Sequence, residues 1–413
     1  MRIEEIEVIN LRFEYAPGEG FRYAGGTATG RLTTLVRVHA QGGRIGLGSA
    51  YTNPEVARVV IEDHLAPTLR GTAIEDVPRI WQDMMRLVRW YGRGGAAVTA
   101  LGAIDTALWD LRAQLAGQPL WRYLGAAEGV VPAYASALLW RDDLDLLRQE
   151  ACGHVDAGFT RVKMRLGRCR DYDVAAFLAV QDSVGEHGEV IVDGSLRYSR
   201  EDAEWLADFL GAHEAVWFEE PFAPDDLDGY TALRARGAVP LAAGENETWP
   251  SGFAELIRRR AVDVIQPDVS RAGGVTSARH VAELANRAGL QIATHSWSDA
   301  VAIVANAHVV ASAPNGMTVE VDRTGNPFVT DLLTEPLRVT DGWLRLPAGP
   351  GLGIRLDEAA IARYRLAPGA IPDGNYSDMV FGVPPTVTAP DYAAAWSEIQ
   401  SGGPAVAGIG GPR

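Results

Sequence analysis

Seven residues able to do proton or metal chemistry recur along the middle of the chain. They are Lys163, Asp193, Glu219, Glu245, Asp268, His295 and Glu320, and successive steps are 30, 26, 26, 23, 27 and 25 residues. Three consecutive members, Asp193 in VIVDGS, Glu219 in VWFEEP and Glu245 in LAAGEN, are carboxylates. Any one alone reads equally well as a surface acid at a loop start. Three brought to one spot repel each other unless a cation neutralises them. An all-oxygen set with room for water and substrate suits Mg2+. Asp268 followed by His295 suggests a dyad in which the carboxylate fixes the imidazole tautomer and raises the basicity of the other nitrogen. Lys163 and Arg165, two apart, point to one face. They either balance the three acids or hold a substrate carboxylate and the charge made during reaction. Glu320, near a bound anion, would tend to be protonated and to donate a hydrogen bond. Ser136 reads as a donor to substrate or as a small polar filler.

The interval between these residues is about one strand, one helix and two short loops. Each charged group follows a short apolar run. Eight strand candidates lie near 132, 161, 190, 216, 240, 263, 291 and 318, alternating with helical patterns near 143 to 157 and 171 to 185 and onwards. That beat predicts parallel strands closed into an eight-stranded barrel, with the site at the C-terminal ends of its strands. A doubly wound open sheet would call for a Gly-rich phosphate loop after its first strand, and PAYASALL has none.

Upstream, IEEIEVINLRF reads as a strand and LTTLVRVHAQGGRIGLGSA as a hairpin turning at Gly42-Gly43. Residues 14 to 30 read as a mobile loop. Leu101, Ile104, Leu108, Leu111 and Leu115 step by three and four on one helical face that ends at Gly117 and Pro119. The chain divides into an α+β capping domain over 1–128, a modified (β/α)7β barrel over 129–345, and a C-terminal segment over 346–413. The segment returns to the cap and ends in the low-complexity tail SGGPAVAGIGGPR, expected to be mobile or packed on a neighbour.

The 413 residues are 47% hydrophobic and 22% charged, an ordinary soluble composition. A net charge of −15 argues against nucleic-acid or anionic-membrane partners. The two cysteines, Cys152 and Cys169, fit a reducing compartment, and MRIEEIEVIN lacks the features of a signal peptide, so a cytoplasmic location is expected. No apolar run approaches the roughly 20 residues that span a bilayer.

The motifs VKMR, VDGS, FEEP, GEN, PDVSRAGGVT, THS and the late VEVD together resemble the enolase superfamily, and within it the mandelate racemase subgroup. The resemblance runs nearly end to end. It implies Mg2+ on Asp193, Glu219 and Glu245, and a substrate carboxylate gripped by the metal and Lys163. It also implies donation from Glu320 to an enediolate, with His295, oriented by Asp268, as the base. Sugar-acid substrates and a symmetric homo-oligomer follow from the same resemblance. Substrate choice is then expected in the cap, at Arg22, Tyr23 and Tyr51.

Two departures matter. The subgroup often carries Lys-x-Lys, and here Lys163-Met164-Arg165 puts a poor general base in the second place. One competent base argues for dehydration of an aldonate or aldarate rather than two-base racemisation. Racemisation or epimerisation is the alternative, a cycloisomerase is disfavoured because VSRAGG lacks a lysine, and a non-catalytic sugar-acid-binding relative is the last resort. The second departure is Asp-Gly-Ser at 193–195 in place of Asp-x-Asn.

Overall fold

The computed structural model describes residues 1–23, 26–367 and 378–381. Strands β1 (Ile3–Glu14), β2 (Phe21–Tyr23), β3 (Gly26–Ala40) and β4 (Arg44–Ala50) form the cap sheet. β3 is central and pairs antiparallel with β1, β2 and β4. The expected loop over 14 to 30 is therefore largely strand. Phe21 sits opposite Ala28 and is buried, because apolar side chains from this stretch close over the barrel mouth.

Helix Ala96–Leu115 packs on β4. Leu101, Ile104, Leu108 and Leu111 are fully buried, whereas Leu115 at the C-terminal end is 40% exposed. Gly46 and Gly48 permit the contact: a Cβ on either would lie about 2 Å from a carbonyl oxygen of that helix. Asp105 on the same helix accepts from the backbone NH (2.8 Å) and hydroxyl (2.6 Å) of Thr276, tying the cap to barrel helix Gly274–Arg287.

The barrel strands are β5 (Val130–Ser136), β6 (Arg161–Arg165), β7 (Glu189–Asp193), β8 (Phe218–Glu219), β9 (Leu241–Ala243), β10 (Val264–Ile265), β11 (Gln291–Thr294) and β12 (Gly316–Asp322). Each pairs parallel with the next, and β12 pairs with β5 from Val319↔Ala133 to Asp322↔Ser136, so the sheet closes. Seven helices connect the eight strands, as the (β/α)7β pattern requires. Beyond it, β13 (Val339–Thr340) and β14 (Trp343–Arg345) make a hairpin whose second strand pairs antiparallel with β5. Helix Glu358–Tyr364 and Leu366, whose NH bonds Asn10 O, then return to β1, and β15 (Asp378–Phe381) adds to β3. The tail SGGPAVAGIGGPR lies outside the described residues. Among the described residues no helix is long and apolar enough to cross a membrane.

Strand alternation sorts the barrel side chains. In β6, Val162 and Met164 face the helical layer and join the main core, while Lys163 and Arg165 face inward. Tyr134, Ile191, Trp217, Ala242, Val264 and Ala293 fill the interior below them. Burying a branched aliphatic side chain such as Ile191 or Val264 contributes roughly 1.5–3 kcal/mol by leaving water, and an alanine correspondingly less. This plug seals one end of the barrel, so the inward polar residues above it open only toward the cap.

Candidate active site

Asp193 and Glu219 terminate β7 and β8, and Glu245 follows β9 by two residues. One carboxylate oxygen from each lies within 4.8 Å of the other two. Glu219 is fully buried and accepts from Lys163 Nζ (2.7 Å), Gln266 Nε2 (2.8 Å) and Trp217 Nε1 (3.0 Å). Burial, reinforced by Asp193 and Glu245 and opposed by Lys163, pushes its carboxyl up to about 7. Glu245 Oε2 is buried without a hydrogen-bond donor. Asp193 Oδ1 is held by the NH (2.7 Å) and hydroxyl (3.1 Å) of Ser195. Crowded, all-oxygen and incompletely neutralised, the three carboxylates fit a hard divalent cation.

Opposite them, His295 Nδ1 lies 2.8 Å from Asp268 Oδ2. The other oxygen of Asp268 accepts from Ser270 NH (2.8 Å), Ser270 Oγ (2.7 Å) and Asn306 Nδ2 (3.0 Å). Asp268 is thus locked as an acceptor, and the ring must present Nδ1–H to it. His295 Nε2 then faces the acids, 3.5 Å from Glu245 and 3.7 Å from Glu320. Burial works to lower the imidazole, but Glu245, Glu320 and Asp268 outweigh it and raise it to about 9.

Lys163 bridges the two halves, with Nζ 2.7 Å from Glu219 and 2.8 Å from Glu320. Burial opposes its charge, yet these two carboxylates hold the amine well above the ordinary lysine range. Arg165 lies 3.4 Å from Asp193, donates to Ser136 Oγ at 3.0 Å and stacks 4.0 Å from the Trp297 ring centroid. Glu320 also accepts from Ser296 NH at 2.8 Å. Burial raises its carboxyl, but Lys163 and His295 dominate and leave it strongly depressed. In the substrate-free site Glu320 is therefore an ion-paired carboxylate, and the protonated form expected of it belongs to the state with an anion bound.

A cavity of about 360 Å³ lies over these groups between cap and barrel; Lys163, Glu219, Asp268 and Glu320 are fully buried behind its wall. Tyr23 and Tyr51 line it, as do Arg165, Asp193, Glu245 and His295. Arg22 does not: its neighbour in β2 faces the cavity, so alternation turns its guanidinium outward to Asp142, 2.7 Å away. Ser136 is fully buried and supports Arg165, without lining the cavity.

A profile of enolase C-terminal domain-like sequences matches residues 146–360, and a profile of the mandelate racemase / muconate lactonizing enzyme N-terminal domain matches residues 7–125. The chain belongs to the enolase superfamily. A 3,6-anhydro-alpha-L-galactonate cycloisomerase of Streptomyces coelicolor is 33% identical over 79% of this chain and 90% of its own length. An arabinonate dehydratase of Saccharolobus solfataricus is 29% identical over 79% of this chain and 89% of its own. The solved structure of an L-talarate dehydratase from Polaromonas sp., complexed with Mg and L-glucarate, is 27% identical with a TM-score of 0.81, covering 89% of this chain and 98% of that one.

This enolase-superfamily site also contains residues that reading the sequence did not single out. Glu220, Asn246, Arg271 and Trp297 all line the cavity. Glu220 accepts from Asn246 Nδ2 at 2.5 Å, and Asn246 Oδ1 accepts from Arg271 at 3.2 Å. Each lies within a few residues of a recognised position, in FEEP, GEN, DVSR and HSW. Proximity in the chain was the available signal. Ser195, Leu196 and Glu220 adopt positive φ of 48°, 64° and 33°. Such backbone costs on the order of 1–3 kcal/mol per residue and clusters where a site over-determines the chain. For Ser195 it makes sense of the Asp-x-Asn pattern, because Asn tolerates this conformation better than Ser.

Proposed function

We propose that the protein is a Mg2+-dependent dehydratase of a sugar acid, an aldonate or aldarate, that yields a 2-keto-3-deoxy acid. The observation that carries the reading is a single base. His295 Nε2 faces the carboxylate triad, whereas Lys163 and Arg165 are held as cations by Glu219, Glu320 and Asp193. A two-base racemase needs a neutral acceptor on each side of the carbon. This site supplies at most one, His295: its imidazole is raised to about 9 by carboxylates that include Glu245, and a cation held by the triad would offset that charge and leave Nε2 able to accept.

Asp193, Glu219 and Glu245 would hold Mg2+, which supplies positive charge where the substrate carboxylate becomes electron-rich. Lys163, protonated and aimed between Glu219 and Glu320, stabilises the same oxygens. His295 Nε2 takes the C2 proton, and Asp268 keeps Nδ1–H in place and stabilises the imidazolium. The C2–H electron pair forms first the enediolate and then the C2=C3 bond as the C3–O bond breaks. The imidazolium returns its proton to the departing hydroxyl, so water leaves and the base is regenerated. The resulting enol tautomerises to the 2-keto acid. Glu320 becomes a donor only after proton uptake, which an incoming substrate carboxylate favours.

A second reading, cycloisomerisation of an anhydro sugar acid, is favoured by the 33% identical Streptomyces coelicolor relative of that name. Against it, the cation after β10 is Arg271 rather than lysine. A sugar-acid library incubated with Mg2+ and read by mass spectrometry separates the readings. Loss of 18 mass units with formation of a 2-keto acid supports dehydration. An isomeric product supports cycloisomerisation, and C2 deuteration without mass loss in D2O supports racemisation.

A further inference from the structure

Two arginines line the cavity, and they are differently engaged. Arg165 is committed to Asp193 and stacked on Trp297. Arg271, on the turn after β10, donates from Nη2 to the neutral Asn246 Oδ1 at 3.2 Å and lies 5.2 Å from the Tyr51 ring centroid. Neither partner is an anion, and among the described residues no carboxylate forms an ion pair with Arg271. Tyr51 joins this guanidinium to the reaction centre, since its ring centroid is also 5.8 Å from that of His295. A guanidinium presents five donors in a rigid fork matched to a carboxylate. With one edge turned to Asn246, it retains donors for a ligand. An extended six-carbon diacid separates its terminal carboxyl carbons by roughly 6–7 Å, from C–C bonds near 1.5 Å. The Arg271 guanidinium and the His295 ring flank Tyr51 in the same cavity, 5.2 Å and 5.8 Å from its ring centroid, so one extended ligand can meet both.

We propose that Arg271 recognises an anionic group at the far end of the substrate, so that the preferred substrate is a sugar diacid, an aldarate, rather than an aldonate. This rests on the sugar-acid reading of the site. Arg271 has no assigned part in the proton transfer. Its contribution is to bind and orient the carboxylate remote from C2. The competing role is structural: a cation that merely offsets the charge of Glu245, whose carboxyl it helps to lower.

The test is calorimetric binding at fixed ionic strength, with saturating Mg2+, in the His295→Asn background so that ligand is not consumed. The probes are a six-carbon aldarate and the aldonate of the same configuration, which differ only at C6. The expected result is at least tenfold tighter binding of the aldarate, with the ratio falling below threefold in Arg271→Gln. Arg271→Met, which keeps the stem on Tyr51, carries the same expectation if the Gln variant does not fold. No preference in the parent, or an unchanged ratio in the folded variant, overturns the proposal. So does a loss confined to Mg2+ affinity, which is the signature of the structural role. Wild-type turnover is scored separately. If the ratio behaves as expected but neither acid loses water, the dehydratase reading fails and this one stands.

Discussion

Replacing Asp268 by Asn tests the central chemical claim with the least change of shape. Oδ1 of Asp268 receives three donors, from the NH and hydroxyl of Ser270 and from Asn306 Nδ2, whereas among the described residues Oδ2 faces only His295 Nδ1, at 2.8 Å. In Asp268→Asn the amide oxygen must stay where the three donors converge, so the NH2 is directed at the imidazole. The ring can then only accept at Nδ1, which places its proton on Nε2, the nitrogen that has to take the substrate proton. The imidazole also loses an adjacent negative charge that helps lift it to about 9. A positioned base is worth about 10²–10⁴-fold, and the same carboxylate-to-amide change behind a catalytic histidine of a serine protease costs about 10⁴. We therefore expect kcat to fall by about 10³–10⁴, which is about 4–5.5 kcal/mol. Mg2+ affinity measured by calorimetry should stay within about threefold of the parent, because Asp268 is not among the triad. The assays are 2-keto acid formation and C2 proton exchange in D2O, with circular dichroism to verify the fold. A folded, metal-binding Asp268→Asn protein that keeps more than a tenth of the parental exchange rate would refute the dyad.

The other expectations rest on the same geometry. Glu219→Gln removes a ligand charge while keeping the donors from Gln266 and Trp217, and should weaken Mg2+ at least about tenfold by calorimetry; unchanged affinity would break the metal assignment. His295→Asn should bind Mg2+ normally and lose turnover, and near-parental rates would remove His295 as the base. Without divalent ions, stability should decline with pH: His295 is raised to about 9, Glu219 to about 7 and Glu220 to about 8. Each folded value lies above the unfolded one, so each contribution is complete below the unfolded value and is lost as pH rises through the folded one. The metal-free melting temperature should therefore fall between about pH 5 and 9, and Mg2+ should remove much of that fall by pairing with the carboxylates; a flat metal-free profile would contradict the crowding. Finally, Ser195→Asn should be neutral or stabilising, whereas β-branched Ser195→Val should cost about 1–3 kcal/mol in a denaturant melt, since its φ is 48°; equal stability of the two would show that this turn relaxes freely.

Much of this molecule is legible before any coordinates. A beat of 23 to 30 residues, each ending an apolar run in a charge, dictates a closed parallel barrel, because only the strand ends offer polar groups a route to solvent. The same regularity places the triad, the dyad and Lys163 at one mouth, and the helical phase of Leu101, Ile104, Leu108 and Leu111 predicts the buried helix of the cap. Tertiary structure decided what periodicity does not encode. Alternation in β2, a strand where a loop was expected, sends Arg22 to Asp142 and leaves Tyr23 in the cavity. The close pairing of Lys163 with Glu320 holds that carboxyl strongly depressed while no substrate anion is bound, a partnership the spacing does not reveal. Arg271 enters the cavity because Tyr51, more than two hundred residues earlier in the chain, meets its guanidinium there. The physical reason is common to all three. Strand and helix periods follow from local backbone geometry, whereas the charge state and direction of a side chain depend on neighbours that only folding brings within a few ångströms.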